Sequence, residues 1–306
     1  MSNNDRKTPL VGVLAIQGAF EEHQKSLEAC GCRTTQIRTV ADMTGRGEVL
    51  DGIVLPGGES TAMGLIGTSR KSDKDGRNVW EAIREFIEVD KKPVWGTCAG
   101  MILLAERCVG ASAVIEDGQA LIGGMDIFVC RNYFGSQVSS FEMDTPPPPT
   151  KNNEENNESY PGVFIRAPAI LSVGTGVTVL GKVVATPCRQ AAVVLQELEN
   201  KIEKGETVIQ MKVVDALERK SSQEIKYRAV VKTRNENEEE TRSKSETTAE
   251  NQITIELPGA SDGSNAREVI CAVQKKNILC TAFHPELTND HRWHEYFADV
   301  VKKSMH

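Results

Sequence analysis

The sequence predicts an α/β fold with a mainly parallel, mixed central sheet flanked by helices. Three observations point there. A short continuous apolar run at Leu10–Ile16 has the character of a strand buried on both faces, Leu50–Pro56 is a further strand candidate, and Val94–Trp95 read as the end of a short buried strand. Helix-patterned stretches alternate with them at Glu21–Ala29, Thr61–Ile66 and Val79–Val89. Glycine-containing turns, Gln17-Gly18, Gly57-Gly58 and Gly96, follow the apolar runs.

In order, Leu10–Ile16 is followed by a helix that can turn Phe20, Leu27 and Ala29 to a core, with Gly31 ending it. Thr34–Val40 is a second strand candidate and Leu50–Pro56 a third. Val79–Val89 is amphipathic through Trp80, Ile83, Phe86 and Ile87. The strand ending at Trp95 leads through a glycine-rich turn to a helix over Met101–Glu106. Ala120–Cys130 and Gly162–Pro168 read as strands, and Gln137–Glu142 alternates like an exposed one. Val177–Leu180 and Val183–Ala185 continue the sheet. Glu268–Gln274 and Ile278–Phe283 flank the turn Lys275–Asn277, and a helix over Trp293–Val301 closes the chain.

Three stretches do not fit a compact core. Residues 68–77 are charged, and 144–160 contain four consecutive prolines followed by an Asn/Glu cluster. Residues 186–267 are mixed: Gln190–Leu217 suits a helix and a strand, whereas 233–251 have almost no apolar surface to offset ordering entropy and are expected to be disordered. All three read as surface insertions on a single domain spanning 1–306.

With 36 basic and 43 acidic residues the net charge is -7, and no basic stripe supports nucleic-acid binding. No apolar run is long enough for a membrane span, and the polar start does not resemble a secretory signal. The eight cysteines are scattered, several within apolar runs, which favours reduced thiols and a cytoplasmic protein.

The chemistry-bearing stretch is Gly96-Thr97-Cys98-Ala99-Gly100. Glycines two residues either side of a cysteine, between strand and helix, have the spacing of a nucleophile elbow. Such a turn lifts the sulfur above the sheet edge and puts it at a helix N-terminus, which favours thiolate. The plainer alternative is a buried structural cysteine. Of five histidines, only His284 ends a strongly apolar strand, where α/β sheets build their sites. Glu286, two residues on, can reach back to the same imidazole, so Cys98, His284 and Glu286 form a candidate triad. Gly57-Gly58 offers backbone donors for an oxyanion, with the Ala99 N–H beside the nucleophile as the second. Glu59 argues against a phosphate loop. Glu286, His291 and His294 could be considered for a metal, but a third firm ligand is missing, and no metal or cofactor is expected.

These motifs resemble the triad-type, class I glutamine amidotransferases. Five stretches are similar, more finely, to the glutaminase subunits of pyridoxal 5′-phosphate synthases: Gly12–His23, Leu55–Thr61, Arg131–Gly135, Val163–Pro168 and Ala282–Arg292. The resemblance implies glutamine hydrolysis through a Cys98 thioester, with Gly58, Glu59, Ser60, Arg131, Ile165 and Arg166 lining the glutamine site. It implies a hetero-oligomer with a (β/α)8-barrel synthase subunit that receives the ammonia. It also places Gln17 and the following helix near that interface and the oxyanion region. Plainer roles for Gln17 and His23 are a turn-capping amide and an exposed helix residue. Two alternatives remain: the glutaminase of another amidotransferase, such as imidazole glycerol phosphate synthase, or a non-catalytic α/β binding module.

Overall fold

The computed structural model describes residues 8–44, 48–69, 76–110, 120–135, 140–150, 158–204, 226–232, 252–260 and 264–305. The first part of the chain forms β1 (Leu10–Leu14), α1 (Phe20–Ala29), β2 (Arg33–Ile37), α2 (Val40–Thr44), β3 (Gly52–Leu55), α3 (Ser60–Ser69), α4 (Val79–Glu88), β4 (Val94–Thr97), α5 (Ala99–Leu104) and β5 (Ala105–Val109). Then come β6 (Met125–Cys130), β7 (Ser140–Thr145), β8 (Tyr160–Ile165), β9 (Ala169–Val173) and β10 (Thr178–Ala185). The rest comprises α6 (Arg189–Glu203), β11 (Lys226–Lys232), β12 (Gln252–Pro258), β13 (Arg267–Lys275), β14 (Ile278–Thr281) and α7 (Arg292–Ser304).

Ten strands build one mixed sheet in the order β2-β1-β3-β4-β14-β13-β9-β6-β5, with β10 also paired to β13. The half from β2 to β14 is parallel, as its apolar, helix-separated strands predict. The hairpin β13–β14 turns through residues 275–278 and introduces the antiparallel pairings. A smaller antiparallel pair joins β7 to β8, and β11 pairs with β12 in parallel. Helix α4 shows how pattern becomes packing. Trp80, Ile83, Phe86 and Ile87 are buried on one face. The Asn78 side chain accepts from Glu81 N at 2.9 Å, and Glu81 Oε2 accepts from Asn78 N at 2.8 Å. This reciprocal cap satisfies two otherwise orphaned donors. No helix among the described residues is long and apolar enough to cross a membrane.

The structure departs from the sequence reading in several places. β2 stops at Ile37, because the Asp42 carboxylate accepts from the backbone N–H groups of Arg38 and Thr39 and starts α2 at Val40. The helix expected over Met101–Glu106 begins at Ala99 and ends at Leu104. Ala105 is extended and opens β5, which pairs with β6. Strand β9, beyond Pro168, was not expected. The two short runs at 177–185 are one strand with an irregularity at Gly181. Within 186–267, α6 packs Ala191, Leu195 and Leu198 into the core, so this part of the insertion is not peripheral. The strand expected before Leu217, the disorder expected at 233–251, and most of 68–77 lie outside the described residues.

Where strands meet the elbow, glycine is required by space. A Cβ on Gly96 would lie 2.6 Å from the Gly100 backbone, and one on Gly100 would lie 2.0 Å from the Leu55 carbonyl oxygen. A backbone atom cannot swing aside as a side-chain tip can. Gly100→Ala is therefore expected to destabilise the fold by about 1–3 kcal/mol, read as a lowered thermal midpoint.

Candidate active site

β3, β4 and β14 lie side by side in parallel, with Leu55 paired to Gly96 and Thr281 to Thr97. Their C-terminal ends therefore deliver Gly57-Gly58, Cys98 and His284 to one edge of the sheet. Cys98 has φ 47° and ψ -102°, a strained backbone for a residue with a side chain. The surroundings hold it there. Its N–H donates to Thr281 O at 2.8 Å, and its carbonyl accepts from Ile102 N at 3.2 Å. The sulfur is largely buried, and its charge favours the charged form of His284.

His284 is fixed from three sides. Its N–H donates to Val163 O at 2.8 Å, tying it to β8. Its Nδ1 meets Glu286 Oε1 at 2.8 Å, which leaves Nε2 for the cysteine. Gly57 packs against the ring: a Cβ there would stand 2.2 Å from His284 Cε1. Burial alone would lower the imidazole pKa. The charge and hydrogen bond of Cys98, followed by those of Glu286, outweigh it and hold His284 well above its ordinary value. Burial would likewise raise Glu286, but His23 first and His284 second bring it far below the usual carboxylate range.

His23 is the member that sequence reading missed. It is fully buried, with Nε2 3.2 Å from Glu286 Oε2. The plainer reading of it as an exposed helix residue is wrong. A signal was present: Phe20, His23 and Leu27 share the core-facing spacing of α1. Likewise His294 lies on the buried face of α7 with Trp293, Phe297 and Val301. It contacts His23 at 3.0 Å rather than joining His291 and Glu286 around a metal. Groups of three or more His, Cys, Asp or Glu able to hold a metal ion are absent among the described residues.

The other candidates form a shell around this core. Gln17 Oε1 accepts from Glu59 N at 2.8 Å and lies against Gly58, so it braces the Gly57-Gly58 loop. Gly18, at φ 97°, packs so closely on Gly57 that a Cβ would meet its carbonyl oxygen at 1.7 Å. The Glu59 carboxylate accepts from Thr61 N at 3.1 Å and Ala62 N at 2.6 Å, so it caps α3. Burial would raise its pKa, but those N–H groups, the Thr61 hydroxyl and Arg131 lower it. Arg131 donates to Thr61 Oγ1 at 3.1 Å and stands 3.9 Å from Glu59. Phe134 N donates to Ala167 O at 3.2 Å, bringing the Arg131 loop beside Ile165 and Arg166. Arg166 sits at φ 46° just past β8. Ser60 is buried at the start of α3, and Ala99 opens α5 directly after the nucleophile. Backbone contacts, rather than side-chain contacts with Cys98, place Ile165 and Arg166 in this group.

The raised His284 value has a definite sign. Its charged form stabilises the fold fully below the unfolded value of about 6.5, and this is lost as pH rises through the higher folded value. Glu286→Gln removes a raising charge, so the His284 titration followed by NMR should move to lower pH. Gly57→Ala should push the imidazole off line and lower turnover about 100-fold, a misplacement effect, while the thermal midpoint falls much less.

The sequence and fold are similar to those of known proteins. The model of the SNO glutamine amidotransferase family matches residues 13–209. "Probable pyridoxal 5'-phosphate synthase subunit PDX2" of Arabidopsis thaliana is 36% identical over 293 residues, 96% of this chain and 86% of that one. Pyridoxal 5'-phosphate synthase subunit PdxT of Oenococcus oeni is 43% identical over 297 residues, covering 97% and 99%. A solved structure described as a glutamine amidotransferase superposes with a TM-score of 0.56 at 26% identity, covering 95% of this chain and 98% of that one. The chain belongs to the SNO glutamine amidotransferase family.

Proposed function

We propose that this chain is the glutaminase subunit of a pyridoxal 5′-phosphate synthase. It hydrolyses L-glutamine to L-glutamate and ammonia, and passes the ammonia to a (β/α)8-barrel synthase subunit. The observation that carries the chemistry is the buried hydrogen bond of His284 Nδ1 to Glu286 Oε1 at 2.8 Å, on an imidazole whose charge is favoured by the neighbouring Cys98. The names of the full-length relatives support the pathway.

In this reading the Cys98 sulfur attacks the side-chain amide carbon of glutamine. The carbonyl electrons move to oxygen, where the Gly58 and Ala99 N–H groups serve as the oxyanion donors. His284, held as imidazolium, gives a proton to the departing ammonia, and a γ-glutamyl thioester remains. Water then attacks the thioester carbon while His284 takes its proton, and glutamate leaves. Glu286 keeps the ring oriented and stabilises its charge. Arg131 and Arg166 suit the substrate carboxylate. Glu59 suits the ammonium, although it also caps α3. Ser60 and Ile165 complete the pocket wall.

Gln17 fits an activating contact. A synthase subunit docking near it would act on the Glu59 N–H and hence on Gly58. The test is glutamate release, measured for the chain alone and with a pyridoxal 5′-phosphate synthase barrel subunit. The expected result is stimulation by that partner and complete loss in Cys98→Ala. Stimulation by an imidazole glycerol phosphate synthase cyclase instead would move the chain to another pathway. Activity surviving in Cys98→Ala would sink the mechanism.

A further inference from the structure

The Glu286 carboxylate has two oxygens, and His284 engages one of them. Oε2 points inward, where His23 Nε2 lies at 3.2 Å, with both side chains fully buried. His23 comes from α1, far from Glu286 in sequence, and its ring is held on several sides. Thr97 Oγ1 is 3.1 Å from Nε2, and His294 Nε2 is 3.0 Å from Nδ1. The edge of Trp95 packs at a centroid distance of 5.5 Å. The titratable groups facing His23 are thus Glu286, from the turn after β14, and His294, from α7. His291 meets only the His294 ring, at 6.2 Å between centroids.

We propose that His23 is a positioning residue for the reaction, holding the Glu286 carboxylate in line with His284 by setting its Nε2 edge against the inner oxygen. The inference rests on the glutaminase reading above. Its physical basis is the demand of a buried anion. A carboxylate oxygen without a donor in the interior takes up a proton or turns away, and either loosens its hold on His284. Among the described residues Oε2 makes no hydrogen bond of regular geometry, and His23 Nε2, at ion-pair distance of 3.2 Å, is the group that faces it. His294 completes the device. Burial, then the neighbouring His23, keep its pKa well below the ordinary value, so it is a neutral ring. The hydrogen bond between its Nε2 and Nδ1 of His23 occupies the far side of the His23 ring and leaves Nε2 as the edge that faces Glu286. A hydrogen-bonded partner on the far nitrogen sets the tautomer in the same way for histidines that serve metals. Thr97, the residue before the nucleophile, shares this Nε2 and links the support to the elbow itself.

Two amides separate positioning from packing. The nitrogen of His23→Gln can take the place of Nε2, whereas that of His23→Asn reaches only the place of Nδ1. The full chain carrying either variant is compared with wild type by NMR titration of His284 without substrate. Glutamate release is then measured in complex with the synthase subunit. In His23→Asn the His284 midpoint should fall by about one pH unit or more. Its kcat should fall about 100-fold, with KM within about twofold because His23 touches no substrate. His23→Gln should keep the midpoint and the larger share of kcat. Equal behaviour of the two variants would overturn the proposal, as would failure of both to fold, since the role would then be packing alone. A wild type that releases no glutamate sinks only the glutaminase reading, because the titration still decides the role of His23.

Discussion

A fully buried carboxylate is the constraint around which this molecule is arranged. Ionised Glu286 in the interior costs several kcal/mol unless charge and hydrogen bonds surround it. Two imidazoles meet that need, His284 on Oε1 and His23 on Oε2. They arrive from opposite ends of the sequence. The first helix therefore packs against the turn that follows the last strand, and β1 lies in the same sheet as β14. The long-range topology and the local charge balance are two views of one requirement.

The same economy governs the nucleophile. Cys98 adopts a backbone conformation that costs energy, and the contacts that enforce it come from three strands. Thr281 O takes its N–H, Gly96 and Gly100 touch each other beneath it, and Leu55 O fills the space a Cβ on Gly100 would occupy. Strain is retained because the neighbouring strands over-determine it. The Gly57-Gly58 loop joins through Gly57 against the His284 ring and Gln17 against Gly58, so Cys98, His284 and this loop share one edge of the sheet.

Much of this was legible in the sequence because parallel strands advertise themselves. Uninterrupted apolar runs, each closed by glycine, located β1, β3 and β4, and the elbow spacing located Cys98. His284 and Glu286 followed from their place at a strand end. Less legible were choices made by distant partners. The apolar run from Met101 does not reveal that Ala105 leaves the helix, since that is decided by pairing with β6. Strand β9 is written in ordinary residues beyond a proline. His23 was visible only as a polar residue on a core face, and its partner lies 263 positions away in the chain. Glu59 illustrates a different limit: sequence gives its charge but not its prior engagement with the start of α3.

The two longest excursions leave and return through paired residues. Thr145 stands opposite Tyr160, and Ala185 opposite Arg267. Each detour therefore closes on itself across one interstrand gap of about 5 Å. Closing such a loop costs only about 0.6 kcal/mol more for each doubling of its length. The second detour is nevertheless tied to the frame, because α6 within it packs Ala191, Leu195 and Leu198 into the core. Tyr160 adds a complication, because at the return of the first detour its hydroxyl reaches Thr288 Oγ1 at 3.0 Å and Asp290 O at 3.1 Å. Chain length can thus drift freely within the first detour while the residue that ends it stays bound to the triad's own loop. Growth of the protein and preservation of its chemistry meet at the return of that detour, where Arg292 also donates to the Glu158 and Ser159 carbonyls.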